Sequence, residues 1–173
     1  MRIRRVDAIS SQAFDDLCAL LRDAVDGGAS VGFLAPISRE TCAAYWKSVA
    51  KALDAGLLLY VAEENGRIVG GVQLSPCSKE NGRHRAEIQK LFVLGAWRGR
   101  GLASALMGAA EDAARALGIT LLILDTHEGS HAEAVYGHLG WTRAGVIPDY
   151  AMTTSGTLHG TTFFYKRLSP AST

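Results

Sequence analysis

Apolar side chains recur at two different periods along this chain, and the switch between them lays out its elements. From 11 to 26, Phe14, Leu17, Cys18, Leu21 and Val25 fall at three- and four-residue steps, the spacing that lines one face of a helix. The stretch DGGASVGF (26–33) breaks that pattern with glycines and opens a loop. A second helix is predicted from near Ser38 to Ala55, with Ser38 as its N-cap. The period then drops to two. LLLYVAEE (57–64) and RIVGGVQLS (67–75) flank Asn65-Gly66, a pair that tolerates positive φ and so marks a tight hairpin. Residues 2–7 predict a short leading strand, 76–85 a polar connection and 86–94 a further central strand.

The second half alternates. A helix is predicted over about 100–117, a buried strand over 118–126, and a short helix over 130–140 that Gly140 ends. Two closing strands, 141–150 and 160–168, enclose a turn-rich excursion. The order is β-α-α-β-β-β-α-β-α-β-β, with antiparallel strands first and βαβ units after. That order predicts an α/β fold: a mixed sheet of about seven strands with helices on both faces. No shift in composition divides the chain, so 1–173 reads as a single domain.

Composition narrows the classes of partner. A net charge of +1 gives no global field for nucleic acid or an anionic membrane, so any anion must be held by local groups. No 18-residue apolar stretch is present, so no membrane span is expected. MRIRRVDAIS has charges but no apolar segment after them, so no signal peptide is expected. Cys18, Cys42 and Cys77 are widely spaced and form no CxxC pair. They read as reduced thiols, and the expected compartment is the cytoplasm. The closing SPAST reads as a frayed end.

WRGRGLASAL (97–106) puts two arginines and two glycines between a strand and a helix. The first N–H groups of a helix have no intrahelical acceptor and carry the positive end of its dipole. Gly99 and Gly101 remove the Cβ atoms that would keep a ligand's phosphates off the backbone, and Arg98 and Arg100 can add charge. A glycine-flexed helix start with solvated arginines would look the same at this level. A dinucleotide fingerprint fits poorly: the third glycine is Ser104, and a hairpin precedes the loop where a Rossmann half is all parallel.

Arg98-x-x-Gly101-x-Ala103 after a central strand, followed by Ala132-x-x-Val135-Tyr136-x-x-x-Gly140-Trp141, resembles the two signature blocks of the GNAT superfamily of N-acetyltransferases. The resemblance implies a splayed sheet with acetyl-CoA as co-substrate in the splay. It implies that backbone N–H groups of Arg98, Gly99, Arg100, Gly101, Leu102 and Ala103 hold the pyrophosphate. It also implies that the strand end Phe92, Val93 and Leu94 pairs with the pantetheine arm. GGASVGF (27–33), RAEIQKLFVL (85–94), RGRGL (98–102), LDT (124–126) and Leu158-His159 further resemble family members that acetylate a β-lactam amino-acid toxin of the tabtoxin type. Many family members carry an Asn where this chain has Gly129, so that contact to the cofactor arm must be missing or supplied by Ser130 or water.

Acetyl transfer to an amine needs a base for the ammonium, donors for the oxyanion and a proton for the leaving thiolate. Glu87 lies in an otherwise apolar strand, where desolvation favours a base; a sheet ion pair with Lys90 or an arginine is the structural alternative. Asp125 ends the buried run LLILD; its alternative is an Asp that starts a turn with Thr126. The resemblance favours both as bases and Tyr136 as the acid. His127, His131 and His138 do not form a metal set, because His127 is expected in the loop before the helix. His159 and the 27–33 loop are candidates for the acceptor pocket, and Arg83, His84 or Arg85 for an acceptor's carboxylate. The reading is an acetyl-CoA-dependent acyltransferase for a small-molecule amine. A protein or peptide acetyltransferase and a non-catalytic CoA-binding module are the alternatives.

Overall fold

The structure, a computed structural model, describes residues 1–169. All of SPAST beyond Ser169 lies outside them. The elements are β1 (Arg2–Val6), α1 (Ser11–Asp26), α2 (Arg39–Asp54), β2 (Leu58–Glu64), β3 (Arg67–Pro76), β4 (Arg85–Val93), α3 (Leu102–Ala116), β5 (Leu121–His127), α4 (His131–His138), β6 (Thr142–Met152) and β7 (Leu158–Arg167). The first two helices start where a serine can accept from a free N–H. Ser10 Oγ receives Ala13 N at 3.3 Å, and Ser38 Oγ receives Thr41 N at 3.0 Å. Asn65 (φ 50°) and Gly66 (φ 75°) both turn left-handed and close the β2–β3 hairpin, as a two-residue loop of this twist requires.

Seven strands form one sheet in the order β1-β2-β3-β4-β5-β7-β6, antiparallel except where β4 meets β5. That parallel pair runs only from Arg85–Glu87 against Leu121–Ile123. Beyond Glu87 and Ile123 the two strands part, and the sheet splays open towards its C-terminal edge. The alternating side chains build two cores. One, on the α3/α4 face, gathers Leu74, Ala86, Ile88, Leu106, Leu122, Leu124, Tyr136 and Phe164. The other, on the α1/α2 face, gathers Leu17, Leu21, Trp46, Leu59, Val61 and Phe92. Helices thus cover both faces.

The turn-rich excursion shrinks to 153–157. β6 continues to Met152, β7 begins at Leu158, and the turn closes through Thr153 N to Thr157 O at 2.9 Å. Pro148 and Asp149 (φ 53°) fall inside the expected closing strand and remain in it. They sit in a register shift between Ile147 and Ala151, where a proline's missing N–H breaks no rung. His159 is therefore a strand residue, and so is His127, the last residue of β5 rather than part of a loop.

Candidate active site

The glycine loop follows the C-terminal end of β4, on the open side of the splay. Gly99 (φ 73°) and Gly101 (φ 76°) are both left-handed, and a Cβ built on either meets no atom within 4 Å. Gly101 is the N-cap of α3 and offers no side chain to the helix start. The first backbone bond of the helix is Ala105 N to Gly101 O at 3.0 Å, so the N–H groups of Leu102, Ala103 and Ser104 have no intrahelical acceptor. Gly99, Arg100 and Gly101 donate to no backbone carbonyl among the described residues either. The loop is an open cradle of N–H groups at a helix's positive end, which suits an anion.

Its arginines do a different job from the one expected. Arg98 Nε donates to Val93 O at 3.0 Å, and its Nη2 lies 3.5 Å from Asp23 on α1. Asp23 also accepts Gly95 N at 3.0 Å. Arg100 donates to Ala96 O at 3.3 Å and lies over the Trp97 ring at 4.6 Å. Both side chains brace the loop. The backbone N–H of Arg98 is spent on Gly95 O at 3.3 Å, so the free donors run from Gly99 to Ser104. At the end of β4, Val93 O is taken by Arg98 and Leu94 N by Val69 O, while the Phe92 side chain is buried in the α1/α2 core.

Across the splay, strand alternation sorts the candidate chemistry. Leu122 and Leu124 face α3 and α4, so Ile123, Asp125 and His127 face the other side. Glu87 pairs in register with Ile123 and is on that same side. Asp125 opens onto the cleft; among the described residues it has no hydrogen bond and no ion pair. The protein around it pushes its carboxyl pKa up, against the opposing pull of Lys90. Glu87 is not ion-paired with Lys90, and no N–O contact within 4.0 Å links them. Tyr136 comes from α4 on the α3/α4 face, 7% exposed, with its ring 5.7 Å from Phe164 and 6.2 Å from Trp141. Burial first, and then the charge of Asp125, push its phenol up to about 12. Its hydroxyl makes no hydrogen bond among the described residues and stays protonated at neutral pH, free to donate.

Two features were not expected. The first is Lys90. Pairing of Gln73 with Gln89 and of Gly71 with Phe92 leaves one extra residue on β4, a bulge in which Lys90 takes φ 53°. Its ammonium reaches Val31 O at 2.7 Å and the Phe33 ring at 6.0 Å, which ties the 27–38 loop to the sheet. Burial lowers its pKa, and Asp125 and Glu87 oppose that shift. The second is a close pair of tilted rings, His127 and His159, with centroids 3.7 Å apart and planes inclined by 39°. Among the described residues no three metal-binding side chains cluster. Arg83, His84 and Arg85 lie at the N-terminal end of β4, with Arg85 opposite Leu121, four residues before Asp125. At strand rise that is roughly 13 Å along the sheet.

A profile of the acetyltransferase (GNAT) family matches residues 16–141. The chain belongs to that family. It is 35% identical over 128 residues to an uncharacterized N-acetyltransferase encoded in the hisH-hisA intergenic region of Azospirillum brasilense, covering 73% of this chain and 75% of that one. Among solved structures it resembles a ribosomal-protein-alanine N-acetyltransferase from Brucella melitensis at TM-score 0.83 and 22% identity, covering 97% and 100% of the two chains. It also resembles a phosphinothricin acetyltransferase from Sinorhizobium meliloti in complex with acetyl-CoA, at TM-score 0.79 and 20% identity, covering 100% and 92%. At those identities the structural likeness shows a shared fold. The open N–H cradle follows β4 on the open side of the splay, and Asp125 faces the side of the sheet away from α3 and α4.

Proposed function

We propose that this protein is a cytoplasmic acetyl-CoA-dependent N-acetyltransferase acting on a small amine, with all of its chemistry in one domain of 1–173. The observation that carries the reading is the juxtaposition at the splay: an open glycine cradle on the acyl-donor side, Asp125 on what is then the acceptor face and Tyr136 on the other, neither side chain hydrogen-bonded among the described residues. The cradle fits a pyrophosphate, because the glycine side is open to 4 Å and the N–H groups from Gly99 to Ser104 seek acceptors. When bound, acetyl-CoA supplies an activated thioester. Asp125, aided by Glu87, takes the proton from the acceptor's ammonium; its raised pKa makes it a better base than an ordinary aspartate. Tyr136 donates its proton on the opposite side of the sheet gap, where the thiol leaves.

The small-amine class is supported by the way two loops meet above the acceptor face. Ala35 N, on the α1–α2 connection, donates to Thr154 Oγ1 in the β6–β7 turn at 3.2 Å. A bond that joins these two loops suits a small amine better than an extended peptide, which needs room on both sides of its reacting end. Tabtoxin-type β-lactam amino acids are one acceptor to assay, on the local likeness of 27–33, 85–94, 98–102 and 124–126. The test is thiol release from acetyl-CoA over matched panels of small amines and peptides. Amine-dependent release favouring the small amines is expected. Release favouring peptides would overturn the acceptor class, and binding of acetyl-CoA with no release for any amine would overturn catalysis.

A further inference from the structure

A cavity of about 930 Å³ lies beside the acceptor face, between α2 and the sheet, floored by Gln73, Ser75 and Gln89. Its charged lining is all of one sign: Arg5, Arg83 and Lys90, with no carboxylate among the described residues. These three cations are not equivalent. Arg5 is paired with Asp7 at 2.8 Å, and Arg83 is exposed at the rim. Lys90 is half-buried and sits nearest Asp125 and Glu87. The bulge puts it there: without the extra residue, strand alternation would send Lys90 to the face opposite Gln89, and with it both line the cavity.

An ammonium has three donors, and Lys90 spends one on Val31 O. Among the described residues no carboxylate oxygen lies within 4.0 Å of it, and the anions that act on it are Asp125 and Glu87, the two groups that the acceptor's own ammonium would approach. With an amine in place, its ammonium competes with Lys90 for those two carboxylates, and the free donors of the half-buried lysine gain a partner if the acceptor brings a carboxylate of its own. Next to it, Gln73, 3% exposed, donates Nε2 to Tyr45 Oη at 2.8 Å; the phenol's own proton is then free towards the cavity. Carboxylates on one side and a cation with neutral donors on the other match the two ends of an amino acid.

We propose that the acceptor carries a carboxylate as well as its amine, and that Lys90 receives that carboxylate at the inner end of the cavity. This rests on the acetyltransferase reading and names the substrate class of its acceptor site. It also moves the carboxylate anchor from Arg83, His84 or Arg85 to Lys90.

The experiment pairs each amino acid with the amine that lacks only its carboxylate: arginine with agmatine, histidine with histamine, methionine with 3-(methylthio)propylamine, within a panel of all standard amino acids. In the wild-type protein, kcat/KM for the accepted amino acid should exceed that of its amine by about tenfold or more, the worth of one charge-assisted hydrogen bond. Lys90→Met should raise KM for the amino acid by a similar factor and collapse the preference towards one, and Lys90→Arg should restore much of it. A residue that merely tethers the 27–38 loop would instead lower turnover of acid and amine together. Equal or better turnover of the amines, no turnover of any carboxylate-bearing acceptor, or a parallel loss for both in Lys90→Met overturns the proposal. The wild-type ratio needs no variant to fold. An acetyl-CoA-induced rise in melting temperature, measured on the same samples, separates this outcome from failure of the acetyltransferase reading: protein that does not bind acetyl-CoA fails the latter.

Discussion

Replacing Gly101 with aspartate separates ligand binding from folding at the glycine cradle. A non-glycine residue at φ 76° carries left-handed strain of roughly 1–2 kcal/mol, and aspartate is among the residues that bear it most easily. The position is also the N-cap of α3, where aspartate is preferred over glycine by a few tenths of a kcal/mol and its charge gains about 0.3–1 kcal/mol from the helix dipole. No atom lies within 4 Å of the new Cβ, so no clash adds to the sum. The net cost is therefore about 1 kcal/mol or less, a fall in Tm of no more than ~4 °C for a chain of this size. Ligand binding should respond in the opposite way. Wild-type protein at a hundred times Kd gains ~2.7 kcal/mol from its ligand, a rise of about 5–10 °C. The aspartate puts an anion into the cradle that is to receive phosphates, and the rise should vanish. Differential scanning fluorimetry with and without acetyl-CoA reads both quantities at once. A folded Gly101→Asp protein that keeps the full acetyl-CoA shift would refute the placement of the pyrophosphate.

Tyr136→Phe removes a hydroxyl with no protein partner, so Tm and the acetyl-CoA shift should barely change while turnover falls by roughly 10²–10⁴; unchanged steady-state turnover would demote Tyr136 to a core aromatic. Asp125→Asn tests the base and carries a pH signature. Because the folded pKa of Asp125 is raised above 3.8, the stability tied to its neutral form is fully present below that value and is lost as pH rises through the folded pKa. Asp125→Asn should therefore be at least as stable as wild type at pH 7, with the difference closing in acid, while turnover drops and the acid limb of the pH–rate profile shifts. Glu87→Gln combined with Asp125→Asn should be non-additive if the two share one proton path. A pH–rate profile in Asp125→Asn that superposes on wild type would exclude it as the base.

The elements were legible because each announces itself locally. Ser38 caps α2 as its position before an amphipathic run suggests, and Asn65-Gly66 closes its hairpin for the reason its φ values show. Where the sequence misled, a local signal was overruled by its surroundings. Ala151, Met152, Leu158 and His159 read as part of the turn-rich excursion, but β6 and β7 pair them beyond the bulge. The arginines of the glycine loop read as free charge, and only the fold shows Asp23 and Val93 O within their reach. Lys90 did leave a trace. In EIQKLFV the alternation of apolar and polar slips by one at Gln89-Lys90, the mark of a bulge, but a slip in period does not say which cavity the displaced side chain enters.

The splay explains why the candidate groups sit where they do. Had β4 and β5 stayed paired past Glu87 and Ile123, the backbone would close the sheet between its two faces, and Asp125 and Tyr136 would be walled off from each other. Their parting lets Asp125 raise the pKa of Tyr136 although the two belong to opposite faces. Under the proposed function that arrangement suits acetyl transfer: the amine adds to the thioester carbonyl, the thiol leaves from the tetrahedral intermediate, and a proton acceptor beside the amine and a proton donor beside the thiol occupy different places. A sheet that opens at its centre separates them by its own thickness.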